Sequence, residues 1–227
     1  MLMYTPFENI GGWIICATRF KGTLYLCEYR TEEEKEKREQ LTDREKHTPN
    51  GKPDPLPPVN EREELCLIFT TKLNGMSLLF GAEMDGVLSH TKISDVSGLA
   101  QAKFVELKTS RQIESHKQFN NFKRFKLLKW WCQNFLVGVE YLVCGFRNDE
   151  GIVQTLEQFH NTWDPNVCMN FCAKFLNFAN HLVKEEDPDT VWKFEWKPHE
   201  RVMANKIKGP SEYSFLPKWY TEAQTKI

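Results

Sequence analysis

Two stretches place ionisable residues inside what otherwise reads as buried strand: GAEMDG at 81–86, with Glu83 and Asp85, and FVELKT at 104–109, with Glu106 and Lys108. In a strand, residues two apart point to one face, so Glu83 and Asp85 share a face, and so do Glu106 and Lys108. On neighbouring strands the four groups converge. Gathered carboxylates resist joint ionisation unless a cation compensates them, and a divalent ion that favours hard oxygen ligands, Mg²⁺ or Mn²⁺, is the natural compensator. Such an ion polarises a phosphoryl oxygen and lowers the pKa of its bound water, while a lysine beside it orients that water or stabilises developing negative charge. By spacing alone, the same residues also suit a row of cross-strand ion pairs on an exposed face.

The elements around these stretches are legible from pattern. GWIICATRF and GTLYLCEY flank Lys21 and Gly22 as a hairpin, and LCLIFTTKL and MSLLFGAEMDG flank Asn74 and Gly75 as another. AKFVELKT predicts a further strand. From His116 to Leu136, Phe119, Phe122, Leu127, Leu128, Trp131 and Phe135 recur at spacings of three to five, which predicts a helix resting on a sheet. Its other face carries Lys117, Lys123, Arg124, Lys126 and Lys129 with no acidic residue, a surface suited to polyphosphate or RNA as well as to plain solvent. VEYLVCGFR and GIVQTLEQF read as a strand pair. Asp164 and Pro165 predict an N-cap and first turn, followed by a helix whose apolar face includes Cys168, Phe171, Cys172, Phe175 and Leu176. Trp192, Phe194 and Trp196 alternate as on a half-buried strand. The sum is a mixed α/β (α+β) chain of sheets flanked by helices, expected as one domain over residues 1–227.

Composition narrows the function classes. Thirty basic and thirty-one acidic residues nearly cancel, so any nucleic-acid case rests on where charges sit. No apolar run is long enough to span a membrane and the first residues lack the pattern of a signal peptide, so an intracellular protein with no membrane partner is expected. Seven cysteines, mostly inside apolar runs, fit reduced thiols, and Cys168 and Cys172 fit buried core thiols better than zinc ligands. Residues 31–60 are charged and then proline-rich, and predict a solvated helix running into a loop, an insertion that buries little.

An acidic residue about twenty positions ahead of acidic-x-Lys, as Asp85 precedes Glu106-Leu107-Lys108, resembles the metal-dependent nucleases of the PD-(D/E)XK type. More specifically, TPFENIGGW, FKGTLYLCE, LLFGAEMDG, FVELKTS, KLLKWWCQNFLVG, VCGFRNDEG, WDPNVCMNFCAKFL and FLPKWYTEA together resemble the decapping exoribonuclease family over most of residues 4–30 and 61–222. The resemblance implies a PD-(D/E)XK-like core and a hydrolase of RNA 5′ ends that removes NAD caps and incomplete caps, hydrolyses 5′ triphosphate and degrades the strand 5′ to 3′. It implies Glu83, Asp85 and Glu106 as Mg²⁺ or Mn²⁺ ligands with the backbone carbonyl of Leu107, and Lys108 and Gln133 as groups contacting substrate and water. Cys66 and Glu83 fall at substrate-contacting positions. The implied partners are RNA ends and a nuclear 5′ to 3′ exoribonuclease, and the implied location is the nucleus, with the cytoplasm open.

Two family features have no counterpart. Members carry a substrate-binding Arg in a segment ahead of the part that matches, and a Gly-hydrophobic-x-hydrophobic-Glu motif between the first hairpin and the acidic-x-Asp strand; residues 31–60 fit neither. The expectation is a family member with its start and one internal helix removed and its catalysis impaired. The alternative is a catalytically silent member that binds RNA ends or a partner exoribonuclease.

Overall fold

The computed structural model describes residues 1–36, 65–90, 95–159 and 165–225. The chain gathers into two compact units, one from its two ends (Met1–Gln40 with Asn166–Ile227), the other from Leu41–Pro165.

In the first unit, β1 (Trp13–Phe20) and β2 (Thr23–Tyr29) form a hairpin whose turn residues Lys21 and Gly22 both have positive φ, 47° and 76°. That conformation matches the right-handed twist of the paired strands. Strands β9 (Asp187–Trp196) and β10 (Met203–Ile207) complete an antiparallel sheet in the order β10-β9-β1-β2. Helix α3 (Asn166–Leu182) buries Cys168, Cys172, Phe175, Leu176 and Ala179. Phe175 meets Trp13 and Phe194 edge-on, at centroid distances of 5.2 and 5.4 Å. The expected N-cap, Asp164, lies outside the described residues. Residues 32–36 are helical and exposed, opened by a capping box in which Thr31 N–H donates to Glu34 Oε2 (2.9 Å) and Glu34 N–H to Thr31 Oγ1 (3.3 Å). Residues 37–60 of the expected insertion lie outside the described residues. Helix α4 (Lys218–Thr225) follows β10.

The second unit holds two sheets. Strands β3 (Cys66–Leu73) and β4 (Met76–Glu83) form a two-stranded ladder turned at Asn74 and Gly75, again both at positive φ. The other sheet has the order β5-β6-β7-β8, with β5 at Gly86–Leu88, β6 at Lys103–Arg111, β7 at Tyr141–Arg147 and β8 at Val153–Phe159. Strands β6 and β7 are parallel, so the chain between them must cross over, and it does so as a helix.

That helix is not uniform. It runs as α1 (His116–Asn121), a π-helical turn (Phe122–Leu127) and α2 (Leu128–Phe135). Residues five apart in an α-helix lie about 140° apart around the axis, so Phe122 and Leu127 could not share a face there. The wider π turn brings both inward, where they pack with Leu142, Cys144 and Phe146 of β7. Of the apolar residues that predicted the helix, Phe122, Leu127, Leu128 and Trp131 are buried, while Phe119 stays exposed.

Candidate active site

Strand β6 positions the chemistry. Glu106, Lys108 and Ser110 alternate onto one face of it, the face that on β7 carries Leu142, Cys144 and Phe146 under the helix. The sheet face is therefore divided, apolar along β7 and polar along β6. Glu106 is 8% exposed and forms a close ion pair with Lys108 through Oε1. The Lys108 ammonium also lies 3.6 Å from Asp85 Oδ2, and that oxygen accepts the Leu107 N–H at 2.9 Å. One lysine thus bridges two carboxylates, and a backbone donor fixes one of them.

Asp85 reaches this place because the strand before it stops. Glu83 and Asp85 do not share one strand face as the i, i+2 spacing predicts: β4 ends at Glu83 and β5 begins at Gly86. Two contacts between residues distant in sequence cause the interruption. Met84 is buried and donates its N–H to Leu65 O at 2.9 Å, which anchors the chain in the β3–β4 ladder. Gly86 then lies so close to β6 that a Cβ there would sit 3.1 Å from Val105 Cγ1. Pairing of β5 with β6 spans only Val105, Phe104 and Lys103, so Leu107 has no strand partner on that side and the Asp85 side chain takes its N–H. The N–H and C=O of one strand residue point to the same edge, so the Leu107 carbonyl also belongs to the Asp85 edge.

The other expected residues lie elsewhere in this unit. Glu83 pairs directly across from Cys66, both on the exposed face of the β3–β4 ladder, which carries Ile68 and Leu79 as well. Gln133 is exposed on α2 between the buried Cys132 and Asn134. Lys117 and Lys129 are exposed, Lys123 sits over the Phe119 ring at 4.7 Å, and Arg124 over Phe125 at 5.4 Å. Lys126, itself exposed, donates to the Oγ of the buried Ser110 at 3.0 Å. Ser110 and this role of Lys126 escaped the sequence reading, although extending the Glu106, Lys108 alternation by two residues points to Ser110.

Among the described residues, no group of three or more His, Cys, Asp or Glu side chains gathers closely enough to hold a metal ion. Asp85 and Glu106 gather, and Glu83 does not join them. Their oxygens, with the Leu107 carbonyl edge, are the hard donors a Mg²⁺- or Mn²⁺-class ion prefers, and Lys108 shows that the position already collects positive charge. The residues present fit such an ion as an incomplete shell. Opposite Lys108 on β7, burial pushes the Cys144 thiol up to about 11 against the opposing pull of Lys126, which keeps that thiol neutral.

Comparison with known proteins fixes the class. Residues 42–221 match the family described as RAI1-like PD-(D/E)XK nucleases, and the chain belongs to that family. It is 39% identical to the decapping and exoribonuclease protein of Rattus norvegicus over 254 residues, and 37% identical to that of Homo sapiens, covering 99% of this chain and 62% of each relative. The chain therefore spans less than two thirds of these relatives. Among solved structures, Scheffersomyces stipitis Rai1 aligns with a TM-score of 0.76 at 18% identity, covering all of this chain and 72% of that one. Candida albicans Rai1, solved in complex with pU5 and Mn²⁺, aligns with a TM-score of 0.78 at 18% identity, over all of this chain and 73% of that one. These likenesses establish the Rai1-like fold, and nucleases of the PD-(D/E)XK class use divalent metals.

Proposed function

We propose that this chain is a metal-dependent hydrolase of RNA 5′ ends. The observation that carries the reading is the Lys108 ammonium held between Asp85 and Glu106 on the edge strand pair of a Rai1-like nuclease fold. The substrates that fit are 5′-triphosphate, NAD-capped and incompletely capped RNA, with 5′ to 3′ digestion of the exposed strand, in keeping with the decapping relatives. Asp85, Glu106 and the Leu107 carbonyl would hold a Mg²⁺ or Mn²⁺ ion, and Glu83, which stands apart from them, is the further ligand by family resemblance alone. Such an ion, when bound, supplies charge neutralisation at the phosphate and a more acidic water.

The chain's own residues do the rest. An ammonium has three donors, and two of those on Lys108 face carboxylates. The third is left for an attacking water or a phosphoryl oxygen as negative charge develops there. The Leu107 N–H keeps Asp85 from rotating away, and the exposed Lys117 and Lys129 offer contacts to the RNA backbone. Gln133 and Cys66 are the further substrate contacts of this reading. A nuclear location and a partner 5′ to 3′ exoribonuclease belong to the same reading by resemblance.

Incubating the chain with 5′-triphosphate RNA and 5′-NAD RNA in Mn²⁺ tests it. Product is expected, and Asp85→Ala should lower the rate by ~10²- to 10³-fold, the usual cost of losing one group that stabilises transition-state charge. A second reading, a silent member that binds RNA ends, is favoured by the carboxylates gathering as two rather than three among the described residues. RNA binding without turnover in Mn²⁺ would select it.

A further inference from the structure

Strand β6 has a second end, and nothing in the proposed chemistry uses it. Beyond Arg111 the chain turns into α1, and a cavity of about 610 Å³ opens between α1 and β8. Phe146 of β7 lies in it, His116 and Phe119 line the helix side, and Thr155 and Glu157 line the β8 side. Its lining runs from Gln112, six positions beyond Glu106, to Glu157, which stands level with Lys108 two strands away, so the nearest part of the cavity lies about 10 Å across the sheet from the cluster.

Three observations define its occupant. First, β8 pairs with β7 on one side, and among the described residues no strand pairs with it on the other. Its residues are exposed from Val153 to Gln158, and VQTLEQF contains no lysine or proline of the kind that protects a sheet edge. Second, the strand is sided. Thr155 and Glu157 pair with Phe146 and Cys144, and so face α1. Val153 and Leu156 crowd the opposite face, where a Cβ on Gly145 would sit 3.2 Å from Val153 Cγ1 and 3.6 Å from Leu156 Cδ2. Third, among the described residues the charged lining of the cavity is acidic: Glu114 and Glu157 contribute carboxylates, no described Lys or Arg lines it, and neither carboxylate has an ion-pair partner there.

We infer that β8 and α1 form a docking groove for an extended, lysine-bearing peptide segment of a partner protein, which adds to this sheet as a fifth strand. Main-chain hydrogen bonds to the β8 edge set the register, and the period of two sends alternate side chains to opposite faces. Lysines on the inner face run their aliphatic stems over Phe146 and Phe119 and bring their ammonium groups to Glu157 and Glu114. Apolar residues between them rest on Val153 and Leu156. RNA does not suit this groove, because its phosphates would meet the same two carboxylates.

Fluorescence anisotropy on the full chain tests the groove with two labelled seven-residue peptides, one alternating valine with lysine, the other alternating valine with glutamate. The lysine peptide should bind at least tenfold more tightly, Glu157→Lys should weaken it at least tenfold, and Asp85→Ala should leave it unchanged. Glu157→Gln, a gentler change on an exposed edge, should weaken it by a smaller factor. Equal binding of both peptides, no binding up to millimolar concentration, or indifference to both Glu157 variants overturns the proposal. Displacement of the lysine peptide by Leu156-dependent self-association, seen by sedimentation, would give the edge to a second copy of the chain and overturn it too.

Discussion

Strand β1 lies between β2 and β9, and strand β6 lies between β5 and β7. Both are interior strands carrying buried polar residues, yet the two treat those residues differently. On β1, Thr18 is fully buried and its hydroxyl is placed between the carbonyls of Asp187 and Thr190, each at 2.9 Å, so its polarity is consumed by the fold. On β6, Glu106 is nearly as buried, but its partner is a lysine that is itself a quarter exposed and shared with Asp85. A satisfied hydroxyl fixes a sheet. A shared, partly open charge cluster leaves donors and acceptors that can be redirected to a substrate. The difference separates a polar group spent on the fold from a charge cluster that keeps donors and acceptors open.

The largest expected effect tests the first half of that contrast. Trp13 on β1 packs edge-on against Phe175, stacks near Trp196 at 6.1 Å, and donates its indole N–H to Thr5 Oγ1 at 3.0 Å. Trp13→Ala should cost about 3–5 kcal/mol in urea denaturation, the range for removing a large buried aromatic. Activity per folded molecule should hold. A loss of activity beyond the loss of folded protein would mean that the two sheets are not separable in this way.

The second prediction sharpens the other half. Lys108→Met removes the cation that Asp85 and Glu106 share, so turnover should fall by ~10²- to 10³-fold. The two carboxylates are then left to repel each other, and a cation that binds only the folded chain stabilises it by about 2.7 kcal/mol at a hundred times its Kd. The denaturation midpoint of Lys108→Met should accordingly rise with added Mn²⁺ more than that of the parent chain. Equal responses in the two chains would sever the cluster from metal binding.

What could be read beforehand follows the range of the forces involved. The turns at Lys21–Gly22 and Asn74–Gly75 and the helix at Asn166–Leu182 are set by neighbours in sequence, and turn chemistry and apolar period expose them. The alternation of Glu106 and Lys108 is equally local. The strand break at Met84 and Asp85 depends on how closely Gly86 approaches Val105, a contact between residues far apart in sequence, and the period of two gives no sign of it. The π turn was present only as an irregular spacing from Phe122 to Leu127. Nor does any local pattern say that strands from the two ends of the chain share one sheet, which β1 and β9 do. Roles for Cys66 and the Leu107 carbonyl rest on family resemblance alone.

The smallest expected effect lies beside β1 and carries a pH signature. Asp187, at the start of β9, accepts the Thr190 hydroxyl at 2.7 Å and the Asp189 N–H at 3.0 Å, and these two bonds, the hydroxyl first, hold its carboxyl below the ordinary range. A carboxylate whose pKa is depressed by folding stabilises the fold above its unfolded value, and that contribution fades as pH falls through the lower folded value. Thr190→Val removes the larger of the two causes and leaves the Thr190 carbonyl that Thr18 uses. Because Asp187 is only partly buried, the cost near pH 7 should be at most about 1 kcal/mol. The gap between the two chains should be constant from neutral pH down to about 4 and close below it, measured by urea denaturation across that range. A gap that persisted unchanged at pH 2 would trace the effect to packing of the threonine methyl rather than to the charge on Asp187.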